Sequence, residues 1–329
     1  MRSDLIIAQK RKEDEFITLF DDISAELDNY KAQLKGMRVL CPCDWDESYN
    51  EKTIYLKNKL KKKTKIVHCN FAKFLLAQAE NYGIKSITSS GYNPANGKGI
   101  KFQDIDYSKY DVVITNPPFS QFDDFIKVLF DNKMKFIVIG PQTGVHYKKV
   151  FPYIMNKKLK LGYAKQLIGF QLRNGKKILS SDTGKQSGIP RACKWFTNLK
   201  VNKNIDEFVP TAKYNKKIHP KFFNYKKAIN VPDVNLIPDN YKGEMGVPTT
   251  FISKYNPKQF DIIGKTSTIN RSPKWVGDKA GLWIEYDKNL VETYQKKFIE
   301  KSKIFKINGR NVKIYAPFER IIIKAINKK

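Results

Sequence analysis

Asn116-Pro117-Pro118-Phe119 puts a polar amide, two conformationally fixed residues and an aromatic ring in one tetrapeptide. Directly before it stands Asp111-Val112-Val113-Ile114-Thr115, a mostly β-branched run of the kind that forms a buried parallel strand. Directly after it, Ser120-Gln121-Phe122-Asp123-Asp124-Phe125-Ile126 predicts a helix, with Ser120 as N-cap and an acidic first turn. The four residues therefore fall at the carboxyl end of a strand, where open α/β sheets bind ligands. The chemistry they suit is methylation of an exocyclic amine on a flat ring. The N6 amine of adenine is a poor nucleophile because its lone pair is delocalised into the ring. Acceptors on both N–H groups draw the nitrogen toward tetrahedral geometry, and the Asn116 side-chain oxygen and the Pro117 carbonyl can be those acceptors. The prolines, with φ fixed and no N–H, make a stiff turn that holds the carbonyl. Phe119 offers a face for an extruded base, a contact of about 1–3 kcal/mol that helps to offset flipping. Alone, the tetrapeptide would be a strand-to-helix turn in which Pro-Pro merely blocks pairing. The strand before it, the helix after it and the aromatic fourth residue favour the chemistry.

The elements that must position this turn alternate. Residues 4–35 predict one or two helices around Asp14-Glu15-Phe16-Ile17-Thr18, and Met37 to Cys41 a short strand ending in Pro42-Cys43-Asp44. Asn70 to Tyr82 predicts a helix, capped by Asn70, with Phe71, Phe74, Leu75, Ala79 and Tyr82 on one face and Gly83 at its end. Ile84 to Thr88 and Lys135 to Ile139 predict further strands. Strands alternating with helices imply a parallel sheet with helices on its faces. Beyond residue 150, Leu159 to Leu172 and Cys193 to Leu199 predict two strands joined by a Lys-, Ser- and Gly-rich loop, Arg173–Pro190. From about residue 200 the chain is rich in Pro, Asn, Tyr and Lys with few long periodic segments, and Val312 to Ile326 predicts a terminal strand. Residues 1–199, with helices over 1–36, form the expected catalytic domain and 200–329 a second region.

At 329 residues and 41% hydrophobic content the chain can bury a sizeable core. The formal net charge of +29 points to a polyanionic partner, nucleic acid first. Cys41, Cys43, Cys69 and Cys193 match neither a disulfide framework nor a zinc site, and the three histidines form no metal or triad pattern. No metal is expected. No apolar run is long enough for a membrane span and the N-terminus is charged where a signal peptide is apolar. The expectation is a cytoplasmic protein, monomeric, of a prokaryotic cell or its phage.

The residues resemble the EcoRI-type adenine-specific DNA methyltransferases. The resemblance takes in Asp14 to Thr18, Val39-Leu40-Cys41-Pro42-Cys43-Asp44, the Asn-Pro-Pro-Phe-Ser segment and Ile139 to Lys148. It continues through Trp195-Phe196-Thr197-Asn198-Leu199, Met245-Gly246-Val247-Pro248 and Lys254-Tyr255-Asn256-Pro257. The family implies a Rossmann-like α/β fold with a C-terminal target-recognition region. It also implies transfer of a methyl group from S-adenosylmethionine to adenine N6 in a short sequence of double-stranded DNA. A cognate restriction endonuclease acting on the same site is a further implied partner. Residue by residue, Phe16 and Thr18 match the N-terminal cofactor segment, and Asp44 falls near the methionine end of the cofactor. Tyr92 and Asn93 stand where ribose is held, Asp104 where the adenine moiety is contacted, and Asn116, Pro117, Pro118 and Phe119 in the catalytic turn. Cys-Pro-Cys-Asp replaces the glycine-rich first loop of other methyltransferases, and residues 49–67 resemble a lysine-rich insertion.

Trp195 and Phe196 can form a second wall beside a flipped base or pack as core of a strand. Arg173, Lys176, Lys177 and Lys185 can bind phosphates or be solvated loop charge. Base-reading residues are expected within 200–300, with Arg271 and several Asn as candidates. Two alternatives share these features: methylation of RNA adenine or protein glutamine, and a DNA-binding relative without catalysis.

Overall fold

The computed structural model describes residues 17–44, 52–55, 70–93, 97–171, 176–180, 192–202, 208–269, 281–287, 302–307 and 309–326. The chain divides into two compact units, residues 1–203 and 204–329.

The first unit runs β1 (Ile17–Thr18), α1 (Phe20–Leu27), β2 (Arg38–Cys41), β3 (Lys52–Tyr55), α2 (Asn70–Tyr82), β4 (Ser86–Ser89), β5 (Tyr92–Asn93), β6 (Lys98–Gly99), β7 (Val112–Thr115), α3 (Phe122–Asp131), β8 (Lys135–Pro141), β9 (Lys160–Leu161), β10 (Gly169–Gln171), β11 (Lys177–Leu179) and β12 (Cys193–Thr197), with shorter helical turns between. Seven of these strands make one sheet in the order β3-β4-β2-β7-β8-β12-β9. β4, β2, β7 and β8 are parallel, and β3, β12 and β9 run against their neighbours. The chain goes outward from β2 to β4, then returns to the other side of β2 for β7 and β8. The reversal of strand order falls between β2 and β7.

Strand alternation assigns each apolar side chain to a face. Val39, Cys41, Val112, Ile114, Ile137, Ile139 and Trp195 share one core with Phe71, Phe74 and Leu75 of α2 and Ile23 and Leu27 of α1. On the opposite face Phe122 of α3 packs on Phe196 and Phe130 packs on Phe136. Both faces are covered, which explains why the central strands read as continuous apolar runs. Each buried Phe or Ile contributes about 1.5–3 kcal/mol. Gly140 of β8 is needed for this closeness, since a Cβ there would stand 2.2 Å from the Phe122 ring.

Several local expectations change. Ile17–Thr18 is a strand, not helix, paired with Phe170 and Gln171. Ser120 does not cap α3: the Pro118 carbonyl accepts from the Gln121 N–H at 3.0 Å and closes a 3-10 turn, so the helix starts at Phe122 without a side-chain cap. Asn70 is the first residue of α2, and its Nδ2 donates across to the Thr18 carbonyl at 2.8 Å. Leu159–Leu172 is no single strand. Its β9 stays at the edge of the main sheet, while β10 leaves to join β1 and β11. Of the lysine-rich insertion 49–67, only 52–55, which form β3, lie within the described residues.

The second unit contains β13 (Lys221–Phe222), β14 (Tyr225–Asn230), β15 (Glu244–Pro248), β16 (Phe260–Lys265), β17 (Ile284–Glu285), β18 (Lys303–Ile307), β19 (Arg310–Tyr315) and β20 (Arg320–Ala325). One sheet has the order β13-β14-β15-β20-β16, the other β17-β19-β18. The expected terminal strand Val312–Ile326 is thus two strands in two sheets, broken at Ala316–Glu319. β20, with Ile321, Ile322 and Ile323 fully buried, sits inside its sheet.

At the amino ends of the central strands Arg38 grips Asp111. Its Nε and Nη2 donate to the two carboxylate oxygens at 3.0 and 2.8 Å, and its backbone N–H donates at 2.8 Å. The Arg38 hydrogen bonds hold the Asp111 carboxyl below the usual carboxylate range. A depressed carboxylate adds stability above its unfolded value of about 3.9 and loses it as pH falls through the lower folded value. Asp111→Asn is expected to lower the thermal midpoint at pH 7, with the deficit shrinking as the pH is taken below about 3.9. Circular-dichroism melts across pH check this; a deficit constant with pH would exclude the charge as its cause.

Candidate active site

Three strand ends meet at the reversal of strand order, and Asp44 ties them together. Its backbone N–H donates to the Ser90 carbonyl at 3.0 Å, and the Ser90 N–H donates to the Cys41 carbonyl of β2 at 3.0 Å. Ser89 Oγ, at the end of β4, donates to the Asp44 carbonyl at 2.7 Å. From β7, Thr115 Oγ1 lies 3.4 Å from Asp44 Oδ1, to which it donates. Asp44 is only 1% exposed, so its carboxylate is an interior group at the carboxyl edge of the sheet.

Asn116 follows Thr115 directly. It is half-buried and its Oδ1 is shut off from solvent, Pro117 is buried, and Pro118 and Phe119 are half-buried. Phe119 packs against the core on the α2 side. The fixed backbone of Pro118, with the Gln121 bond to its carbonyl, holds the turn between β7 and α3. The tetrapeptide thus emerges beside Asp44 from the strand next to β2.

Thr18 reaches the same edge by another route. α2 leads into a parallel strand, so its N-terminus lies at the carboxyl end of the sheet, and Asn70 there binds the Thr18 carbonyl. Thr18 Oγ1 and Ser90 Oγ are both buried and have no hydrogen-bond partner among the described residues. A buried hydroxyl left so costs about 1–3 kcal/mol, a cost that a polar ligand at this edge would remove.

Two carboxylates of α1 set the position of β1. Asp22 accepts from the Ile168 and Gly169 N–H groups at 2.6 and 3.0 Å. One turn later Glu26, fully buried, accepts from the Tyr163 and Ala164 N–H groups at 2.8 and 2.6 Å and from the Tyr30 hydroxyl at 2.8 Å. These bonds draw the segment 163–169 onto α1 and deliver Phe170 to its pairing with Thr18. Burial pushes the Asp22 carboxyl up, against the two N–H donors that stabilise its anion. Sequence reasoning passed over both residues. Their signal was acidic side chains at i and i+4 beside the apolar Ile23 and Leu27.

The other sequence candidates separate by place. Tyr92 and Asn93 follow β4 in a half-buried hairpin, with Lys101 Nζ 5.1 Å from the Tyr92 ring centre. Asp104 is exposed at the end of a turn whose Phe102 packs on Phe125. Trp195 and Phe196 are core rings: Trp195 is 1% exposed and meets Phe71 edge-on, and Phe196 is fully buried against Phe122. Their surroundings are those of strand packing, with no face open to a base. Lys176 and Lys177 are exposed at the start of β11. Phe16, Arg173, Lys185 and Arg271 lie outside the described residues. Among the described residues no group of three His, Cys, Asp or Glu stands close enough to hold a metal ion, and no helix is long and apolar enough to cross a membrane.

The family model described as adenine-specific methyltransferase EcoRI matches residues 4–66 and 105–326. The chain is similar to the Type II methyltransferase M.EcoRI of Escherichia coli, 32% identical over 289 residues that span 78% of this chain and 87% of that protein. It is likewise similar to the Type II methyltransferase M.MpnI of Mycoplasma pneumoniae, 32% identical over 78% of this chain and 83% of that protein. A third relative, the Type II methyltransferase M.MgeORF184P of Mycoplasma genitalium, is 31% identical over 78% and 84% of the two chains. No solved structure matches.

Gly162 tests the clamp of α1 on the segment beside β1. A Cβ there would stand 2.1 Å from Glu26 Oε1 and 2.6 Å from Trp195 Cβ, one a fixed hydrogen-bonded carboxylate and the other part of the core. Gly162→Ala is therefore expected to destabilise the fold by about 1–3 kcal/mol, read as a lower urea midpoint at unchanged slope. An unchanged midpoint would show that the clamp yields freely.

Proposed function

Because the chain belongs to the EcoRI family of adenine-specific methyltransferases, we propose that it transfers a methyl group from S-adenosylmethionine to N6 of an adenine in a short sequence of double-stranded DNA. The observation that carries this reading is the Asn116-Pro117-Pro118-Phe119 turn at the carboxyl end of a buried parallel strand, beside Asp44 at the reversal of strand order. Residues 1–199 act as a Rossmann-like catalytic domain and residues 200–329 as the target-recognition region. The protein works as a monomer and as the modification partner of a restriction endonuclease that acts on the same site.

The residues present fit the methyl donor. The buried hydroxyls of Thr18 and Ser90, without a hydrogen-bond partner among the described residues, suit its polar ends, and the interior Asp44 carboxylate suits a cationic group. We assign Tyr92 and Asn93 to its ribose, with Phe16 and Asp104 as further contacts. When bound, S-adenosylmethionine supplies an activated methyl on a sulfonium centre.

The chain's own part is positioning. Asn116 Oδ1 and the Pro117 carbonyl accept the two N–H groups of the adenine amine and turn its lone pair toward the methyl. Phe119 stacks on the flipped base, and the rigid prolines keep the acceptors in place while the bond forms. The displaced proton passes to solvent after transfer, so no strong base is required. The net charge of +29 draws the polyanionic substrate.

The test is expression in a host lacking adenine methylation, with native sequencing of its DNA. Wild type is expected to leave N6-methyladenine at one short motif, and Asn116→Ala to lower the modified fraction at least 100-fold while duplex binding persists. Equal methylation by the variant would remove Asn116 from the mechanism. Unmodified DNA from cells with folded, S-adenosylmethionine-binding protein would move the reaction to another acceptor.

A further inference from the structure

In the second unit, β17 pairs only with Ile314 and Tyr315 of β19, so that beyond them β18 and β19 continue as a two-stranded antiparallel ribbon in register Ile304 opposite Lys313 and Lys306 opposite Asn311. Paired residues share a face, so these four side chains stand together. The other face is occupied: Phe305 and Ile307 pack with Val312, Ile314 and Trp283. Arg310 belongs to that side and is engaged by Glu285 at 3.3 Å. The ribbon is thus anchored through one face and presents the other.

The presented face combines basic, amide and apolar side chains. Ile304 is 68% exposed, and Lys306 and Asn311 are exposed. Lys313 stands 4.9 Å over the Tyr286 ring, which sets the direction of its ammonium group. From Lys303 to Tyr315 the chain has four basic residues and no acidic one.

We infer that this ribbon enters the major groove of the target duplex and reads bases through Asn311 and Lys306. The inference rests on duplex DNA being the substrate. A two-stranded ribbon has the width of the major groove. The four side chains divide into the contact types that groove offers. The Asn311 amide can pair bidentately with adenine N6 and N7, Lys306 can donate to guanine O6 and N7, and Ile304 can cover a thymine methyl. Lys313 takes a phosphate and fixes the register. The base-reading positions then lie in 304–313, beyond the 200–300 window expected from sequence.

The experiment compares wild type with Asn311→Ala, Lys306→Ala and Lys313→Ala, using exposed Lys324→Ala of β20 as a charge control. Each is expressed in the unmethylated host for native sequencing. Each is then titrated against a labelled duplex carrying the wild-type motif, by fluorescence anisotropy at several salt concentrations. Circular dichroism confirms the fold of each. Asn311→Ala and Lys306→Ala are expected to relax one motif position each and to weaken the cognate duplex about 5–100-fold, with little change for a mismatched duplex. Lys313→Ala is expected to weaken all duplexes alike and to flatten the salt dependence by about one charge. Unaltered motif and affinity in all three, with wild type methylating normally, would overturn the ribbon's role and leave the reaction standing. A wild type that neither methylates nor binds duplex DNA would overturn both.

Discussion

A single interior carboxylate residue holds the carboxyl edge of the main sheet together. Asp44 is bound through its N–H and carbonyl to the residues that end β4, and through its side chain to the last residue of β7. β2, from which it emerges, lies between those two strands. The helices on either side of the reversal pack on opposite faces of the sheet, which leaves the edge between β2 and β7 uncovered by either. Where helices do not meet, only loops can close the structure, and loops need their polar groups satisfied. Asp44 meets that need, so the turn carrying Asn116 starts from a fixed point. The positions of Ser89, Ser90 and Thr115 all refer back to it.

A second set of carboxylates works on another segment of the first unit. Asp22 and Glu26 neutralise four backbone N–H groups of a segment that would otherwise be an unpaired surface loop. Two-residue strands such as β1 have too few ladder bonds to persist alone. Here the helix that follows β1 also grips the segment leading into β10, its partner strand. Thr18 is therefore placed by tertiary contacts from the next turn of the chain, and Asn70 of α2 completes the attachment from the other side.

That dependence explains which parts were legible in the sequence. α2 was readable at both ends because its signals are local: apolar spacing from Phe71 to Tyr82 and a glycine at 83, which takes φ +62°. The central strands were readable because burial on both faces leaves continuous apolar runs, although hydrogen bonds at each end moved the boundaries by up to two residues. The tetrapeptide at 116–119 carries its own context of strand and turn. By contrast, nothing local distinguishes Ser90 or Thr18 from other hydroxyl residues, because their burial is made by segments far away in sequence. The 159–172 stretch looked like one strand because its apolar content is right; the carboxylates that divide it lie some 140 residues earlier. In the second unit a signal was present and passed over. Asn308-Gly309 between alternating runs is a hairpin sequence, and it joins β18 to β19.

The order of strands in the two units has a consequence for the timing of synthesis. The main sheet of the first unit has all its strands once β12 is made, at Thr197. The sheet of the second unit lacks an interior member until Arg320–Ala325 emerges, because β20 lies between β15 and β16 and bonds to both. At roughly 5–20 residues per second, the interval between the two is on the order of ten seconds. During it the nascent chain carries a complete first sheet joined to strands whose edges wait for their partner. β15 and β16 then have open edges to each other and to neighbouring chains. The edge proline of β15, Pro248, and the charged Asp261 and Lys265 of β16 are residues that blunt such edges. On the ribosome, the unit that carries the Asn116 turn is finished well before the unit that follows it.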